Sequence, residues 1–381
     1  MVTNTYLPHT GGVARSVYRF SRAYEEAGHK VTVVYPGLRG EEVPVSPRTV
    51  RLPAVKTNTG FYVHQKSHMQ TLRTAFCFDP PDVVHSHHPY LLGVRAKALA
   101  RAFEVPLVFT HHTMYEDFAH VLGPWAGIAT REGLKELATV YANGADVVVA
   151  PSASTKAIIK SRGVRRPVRV VPTGVDLAEF QQGDPAAFRR RLGIPADAPV
   201  FGHVGRLSQE KNLPFLLEAV ERVLKAVPQA HFVVTGSGPV HCGPPRGLEQ
   251  RWHQTGALGG PNLSEAFAAM DVFLFASKAD TQGMVLAEAM VSGTPVVALN
   301  APGARDIINK NNGVLVKREG VGVFARAAIA AWRDRARLSP GATATAKRYS
   351  MARTARAALE VYSEVEHRPR AQRALEFWGH L

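Results

Sequence analysis

The chain has 381 residues, 45% hydrophobic and 20% charged, a globular composition with material for two domains of ordinary size. No run approaches the roughly 18 to 20 apolar residues of a membrane span, and Cys77 and Cys242 are too few for a disulfide framework, so a reducing cytoplasm is the expected home. A net charge of +15 predicts an anionic partner, either a phosphorylated substrate or an anionic lipid surface, although a solvated basic surface is the plainer reading. Nucleic acid is not expected, because no zinc-finger or RNA-binding motif is present and no basic run is interleaved with aromatics.

The start, MVTNTYL, lacks the basic, apolar and small-residue order of a signal peptide and reads as a strand over Val2–Thr5. Gly11-Gly12 follows, ahead of a helix predicted over Val13–Ala27. A glycine pair there lets a ligand approach the backbone and leaves the amides of Val13 and Ala14 open, or it is a plain tight turn. Further strands are predicted at Lys30–Tyr35, Asp82–Ser86, Leu107–His111, Asp146–Ala150 and Val168–Val171, with a helix over Leu134–Ala142.

Two histidine groups sit at the ends of these strands: His85, His87 and His88 in VHSHHP, and His111 and His112 in THHT. His-x-His spacing is a metal-ligand pattern, but the Asp or Glu ligands that would accompany it are not expected close by. The preferred reading has His112 meeting substrate while its neighbours pack or hydrogen-bond.

The turn formers of Pro172–Pro185 mark a domain boundary, and strand–helix alternation then restarts. Strands are predicted at Val200–Val204, His231–Thr235, Val272–Phe275, Val296–Ala298 and Val314–Val316, and helices at Leu213–Val227 and Met284–Met290. Gly236–Gly259 is crowded with breakers and reads mostly as loop. After Val316 the chain reads as helical, with Pro340 and Pro369 as breaks.

GRLSQEKN places Arg206 and Lys211 just past the strand Val200–Val204, where a guanidinium and an ammonium suit a diphosphate. DTQGMVLAE sets Asp280 and Glu288 eight residues apart, about 2.2 helical turns, so that both fall on nearby faces. The amides of Gln282, Gly283 and Met284 lie between them. The bland alternative is a charged first turn followed by a solvated glutamate. There is no dinucleotide fingerprint, no GxxxxGK[ST] phosphate loop, no GxSxG elbow and no Asp-x-Asp pair, so a nucleotide-binding enzyme built this way should work without metal.

Taken in order, TNTYLPHTGGVARSV, VHSHHPYLLG, FTHHTMY, VVPTGVD, GRLSQEKN and DTQGMVLAEAMVSGTPVVA resemble the family 4 retaining glycosyltransferases of the GT-B fold, over nearly the whole chain. The resemblance implies an α/β protein of two Rossmann-like domains with parallel sheets facing across a cleft. Residues 1–175 would bind acceptor, residues 176–360 a nucleotide-sugar donor, and residues 361–381 would form a helix returning to the first domain. It further implies that Arg206 and Lys211 neutralise the donor diphosphate and that Glu288 bonds the ribose. Asp280 would contact the sugar, Gly283 and Met284 would lend backbone N–H groups, His112 would lie near the sugar, and Gly12 would belong to a donor-phosphate loop.

The acceptor side is expected around Gly11, His88 and Tyr115. No cofactor is implied beyond the substrate UDP-sugar or GDP-sugar, and acceptor attack on the face the diphosphate leaves would make Asp280 a positioning group, not a nucleophile. The sequence departs from the family pattern where Asp280 stands for the commoner, longer Glu, where the stretch after GSGP is irregular, and where the chain starts a few residues late.

THHTMYEDFAH with VHSHHPYLLG looks most like the branch that glucosylates diacylglycerol. That implies glucose transfer to a membrane lipid by a protein peripheral on the inner face of the membrane, with Tyr115, Phe118 and Trp125 either at the lipid or packed. The alternatives are a mannosyl- or hexosyltransferase acting on a polysaccharide or soluble acceptor, a non-catalytic nucleotide-sugar-binding protein, and a metal hydrolase built on the histidines.

Overall fold

The computed structural model describes residues 1–9, 11–38, 40, 43–44, 47–56, 62–64, 69–118 and 131–366. They form two units, one of Met1–Gly174 with the segment from Met351 onward, the other of Val175–Ser350. The chain returns to the first unit at Met351 rather than at 361. Within the second unit, a parallel bridge between Val175 and Ser350, with the Val175 N–H donating to the Tyr349 carbonyl, ties the two ends of its chain side by side.

Short apolar runs make the sheet of the first unit: β1 (Thr32–Gly37), β2 (Arg48–Lys56), β3 (Tyr62–His64), β4 (Val84–Ser86), β5 (Leu107–Thr110), β6 (Val147–Ala150) and β7 (Val168–Val170). The orders β1-β2-β3 and β4-β5-β6-β7 are joined by Val2, which bridges Val34 and Ser86 in parallel. The strand expected over Val2–Thr5 is thus a single bridge. It ends early because the Asn4 N–H turns to His88 Nδ1 at 3.1 Å, and the Asn4 amide to Tyr90 O and Leu92 N.

β2 and β3 were not expected. Pro53 interrupts the alternation of β2, which still pairs in parallel with β1, and β3 is a three-residue antiparallel edge. Helices α1 (Gly12–Glu26), α2 (Met69–Phe76), α3 (Leu92–Ala102), α4 (Arg131–Asn143) and α5 (Ala153–Ser161) accompany the strands. α1 buries Val17, Phe20 and Tyr24, a stripe at three- and four-residue spacing, against Val33, Val108 and Val149 of the sheet.

The second unit is a six-stranded, all-parallel sheet, made of β8 (Val200–Val204), β9 (His231–Thr235), β10 (Trp252–Gly256), β11 (Val272–Phe275), β12 (Val296–Leu299) and β13 (Gly313–Val316). Its order is β10-β9-β8-β11-β12-β13, with the direction of travel reversing between β8 and β11. Nearly every residue of the central strands is buried, as a sheet covered on both faces demands. β10 corrects the loop expected over Gly236–Gly259: Trp252 and its neighbours extend the edge of the sheet, and the Trp252 indole N–H donates to Cys242 O at 2.7 Å.

The covering helices are α6 (Leu177–Gln181), α7 (Pro185–Arg191), α8 (Leu213–Ala226), α9 (Gly260–Ala268), α10 (Met284–Val291), α11 (Pro302–Arg305), α12 (Val321–Arg333) and α13 (Arg335–Arg348). Pro340 lies inside α13 instead of breaking it. In the second turn it forfeits one ladder bond, and the breaks fall at Asp334 and Tyr349. Pro369 lies outside the described residues. The last described helix, α14 (Met351–Glu366), packs in the first unit, where Tyr24 and Tyr362 meet edge to face. Among the described residues, no helix is long and apolar enough to cross a membrane.

Candidate functional site

In the second unit the chain's direction of travel reverses between β8 and β11, and their carboxyl ends are therefore the usual ligand position of a doubly wound sheet. The loop after β8 carries Arg206 and Lys211, and the loop after β11 carries Asp280. Lys211 Nζ donates to both oxygens of Asp280, at 2.7 and 2.8 Å, so the ammonium is clamped and not mobile. Each side chain is about a fifth exposed.

Burial alone raises the Asp280 carboxyl, but the Lys211 charge and its hydrogen bonds, joined by the Ser277 hydroxyl, outweigh it and hold the pKa below the ordinary value. Arg206 pairs with Glu210 one turn on. Arg206 is half exposed while the Glu210 carboxylate is nearly covered, and the two lie close at the β8 loop. Sequence reasoning missed Glu210, although the i, i+4 spacing signals it.

It also missed His203, a polar residue inside apolar β8. His203 Nδ1–H donates to Leu274 O at 3.0 Å, while Nε2 is buried without a partner. Burial pushes its pKa down to about 4. The Leu274 hydrogen bond and the Asp280 charge oppose that, and the Lys211 charge adds to it.

Asp280 and Glu288 do not share a helix. α10 starts at Met284, so Asp280 stands four residues ahead of it and the two-turn argument for nearby faces fails. Gly283, at φ +66°, makes the turn between them. A Cβ there would stand 3.2 Å from Gly303 O, and one on Gly303 would stand 2.5 Å from Asp280 O, so glycines let this loop and the start of α11 close up. Thr281 and Gln282 are buried, and Met284 is half-buried at the first turn of α10. Glu288 is 5% exposed, which rules out the solvated reading.

In the first unit, the histidines gather at the carboxyl ends of β4 and β5. His85 spends both nitrogens, Nδ1 with the Tyr362 hydroxyl and Nε2 with Thr110 Oγ1, each at 2.6 Å. Its ring lies 4.1 Å from that of His87, and His87 Nδ1 meets His112 Nε2 at 2.8 Å. His88 accepts from the Asn4 N–H and is 8% exposed. His111 is buried with Nδ1 unpartnered.

Burial drives all five imidazoles toward the neutral form: His88 and His112 to about 3, His111 to about 4, and His85 and His87 well below the ordinary value. These are dipoles, not charges, at neutral pH. Gly11 caps α1, whose first turn begins with exposed Gly12 and has no acidic residue. Tyr115 is packed against the rings of Tyr90 and His111 at 4% exposure, so it forms no lipid interface. Trp125 and the side chain of Phe118 lie outside the described residues.

The sequence profile of Glycosyltransferase Family 4 matches residues 10–179, and that of Glycosyl transferases group 1 matches residues 198–334. An alpha-monoglucosyldiacylglycerol synthase of Streptococcus pneumoniae is 27% identical over 326 residues, covering 81% of this chain and 72% of the relative. A GDP-mannose-dependent alpha-mannosyltransferase of Mycobacterium tuberculosis is 31% identical over 326 residues, covering 81% and 80%. The crystal structure of Anabaena HepE in complex with UDP-glucose superposes with a TM-score of 0.73 over 95% of this chain and 99% of that one, at 18% identity, a likeness that shows the GT-B fold. Two Rossmann-like units, both profiles in their expected halves and a 31% identical relative covered over most of its length place the chain in glycosyltransferase family 4.

Proposed function

We propose that this glycosyltransferase moves glucose from UDP-glucose to a membrane lipid such as diacylglycerol, with retention and without metal. The observation that carries the donor half is the Lys211–Asp280 clamp at the switch point of the second sheet, with Arg206 on the same loop. A nucleoside diphosphate brings negative charge to a place that already holds two cations, and its phosphates take over Lys211 from Asp280. Asp280 is then released to the hydroxyls of the sugar. Charge developing on the departing diphosphate oxygen is met by Arg206, Lys211 and the amides of Gly283 and Met284, which supplies without a metal the stabilisation that leaving-group departure needs. Buried Glu288 accepts from the ribose.

In the first unit the neutral His112 offers a hydrogen bond to a substrate hydroxyl. The Gly11-Gly12 turn gives backbone access to a ligand, and His88 and Tyr115 shape the acceptor side from within. A net charge of +15 supports docking on anionic lipid, with about 1 kcal/mol from each cation close to the surface. The names of two relatives support opposite donors and a lipid product: the pneumococcal one makes glucosyldiacylglycerol, the mycobacterial one uses GDP-mannose. The complex of HepE supports UDP-glucose.

The higher identity to the mannosyltransferase, 31% against 27%, favours a second reading in which GDP-mannose is the donor. Purified protein given UDP-glucose or GDP-mannose, with diacylglycerol in vesicles containing anionic lipid or with soluble sugars, decides between them. Glucosylated lipid formed equally well in chelator is the expected result. Mannosylated product moves the donor to the second reading, and full activity on soluble sugars with none on diacylglycerol ends the lipid assignment.

A further inference from the structure

His87 has no role in the reaction described above, yet it is 1% exposed, hydrogen-bonded to His112 and held between the rings of His85 and His112. It cannot turn away. The His85 ring against it is fixed at both nitrogens by Thr110 and by Tyr362 of α14, and the Tyr362 hydroxyl also donates to that of Tyr24 at 3.3 Å. The surrounding small cavity is lined by Phe20, Val149, Val171 and Ala358 and, beside the histidines, by Tyr24, Thr110, Thr173 and Tyr362.

Burial keeps His87 neutral, so it carries one ring proton, and there are two places for it. On Nε2, the proton would sit on a buried N–H with no acceptor, because that atom has no partner. On Nδ1, it is donated to His112 Nε2 at 2.8 Å, and only a lone pair goes unmatched. Orphaned buried N–H groups are the rarer of the two defects. The neutral His112 must then carry its own proton on Nδ1.

We propose that His87 is a positioning residue that fixes His112 in the tautomer protonated at Nδ1, making it a hydrogen-bond donor on the side turned away from His87. This rests on the reading of His112 as a sugar-site residue, and it deepens that reading by naming the ligand chemistry. The atom His112 recognises is an acceptor oxygen, a hydroxyl or phosphate oxygen with a lone pair to offer. The tautomer is held by a bond made before any ligand arrives, so its ordering cost is met in folding.

Nitrogen NMR on the full chain with isotope-labelled histidine tests this directly, with the His112 signals assigned by their loss in His112→Gln. The expected spectrum at neutral pH shows His112 protonated at Nδ1 and bare at Nε2. In His87→Phe it shifts to the Nε2-protonated form, and His87→Asn, whose amide can donate from the same place as Nδ1–H, restores it.

With nucleotide sugar as substrate, His87→Phe is expected to lower kcat about tenfold, with donor KM within about twofold, and His87→Asn to recover most of it. His112 protonated at Nε2 in the native protein, or unmoved in His87→Phe, overturns the proposal. A tautomer that shifts as stated while kcat stays unchanged leaves the histidine pair intact and removes His112 from the sugar site. Where His87→Phe does not fold, the native spectrum together with His87→Asn gives the same decision.

Discussion

Under the proposed function, the two units prepare for a polar ligand by opposite means. The second holds it with full charges kept in check by partners: Lys211 in the carboxylate of Asp280, Arg206 beside Glu210. The first holds five neutral imidazoles, four of them buried, with His85 bonded to two hydroxyls and His87 to His112. The difference follows the chemistry. A diphosphate is a dianion that must be bound and then stabilised further as it leaves, which calls for cations. A sugar or lipid hydroxyl is neutral, and a cation beside it would only bind water or the wrong anion. Neutral dipoles aimed in advance discriminate better there.

Acid should split the comparison most widely. An unfolded histidine takes up its proton near 6.5, whereas folded His88 does so at about 3 and His111 at about 4. Their contribution to stability is therefore complete above pH 6.5 and drains away as pH falls toward 4 and then 3. At pH 5 each of these two is about 1.5 units below its unfolded pKa, or about 2 kcal/mol. The second unit has three histidines of this kind among the described residues, His203, His231 and His253, and its Asp280 adds a loss only below the ordinary 3.8. Hydrogen exchange, corrected for its intrinsic pH dependence, should show β4 and β5 losing protection at pH 5 before β8 and β9. Equal loss in both would mean that the first unit's histidines are hydrated enough to titrate normally.

Next in size is the clamp. Lys211→Met leaves Asp280 facing a buried, cation-free site, and about 2 kcal/mol of stability should go, less than for a fully buried pair because both side chains keep some solvent. Turnover should fall about 10²–10³-fold. The double variant Lys211→Met with Asp280→Asn separates these effects, since removing both charges returns the stability and not the activity. If the double variant regained turnover, the cation would be structural only, and the donor assignment to this loop would fail.

How far these regions could be read in advance depended on whether the deciding contact was local. β8 and β9 match the apolar runs Val200–Val204 and His231–Thr235 to the residue, because a strand buried on both faces writes itself as continuous hydrophobicity. β2 and β10 escaped, one for Pro53 in its middle, the other for the glycines and prolines that precede it. Their pairing is supplied by a neighbour already in the sheet. The cations past β8 and the histidines past β4 and β5 were legible as strand-end residues of the right chemistry. That Lys211 would close on Asp280, 69 positions away, was not, because it follows only once β8 and β11 are adjacent. Reading Asp280 and Glu288 as helix neighbours failed for the complementary reason: spacing was taken as geometry where Gly283 stops the helix short.

Arg206 tests whether partnering or exposure sets a cation's worth. It is half exposed, so solvent already screens it, and its pair with Glu210 is of the kind that contributes little. Arg206→Ala should cost about tenfold in kcat/KM, less than Lys211→Met, and its donor affinity should fall more steeply at low salt than at high. A loss as large as that of Lys211 would show that Arg206 is drawn inward once the diphosphate is bound.

The smallest effect belongs to the Gly11-Gly12 turn, and it carries its information in the sign. A Cβ at Gly12 meets nothing within 4 Å, and the residue opens α1, where alanine is favoured over glycine. Gly12→Ala should therefore raise stability by about 0.5 kcal/mol. If the space beside this turn is only space, activity is unchanged. If a ligand's backbone contact fills it, the more stable protein is the slower one, and donor KM rises while the thermal midpoint climbs. Gly11→Ala is the contrasting case: its Cβ falls 2.8 Å from Nε2 of the His9 side chain, which must shift, so no gain in stability is expected. Loss of stability in Gly12→Ala would instead make the glycine pair a turn demanded by the chain itself, the plain tight turn that is the other reading of its sequence.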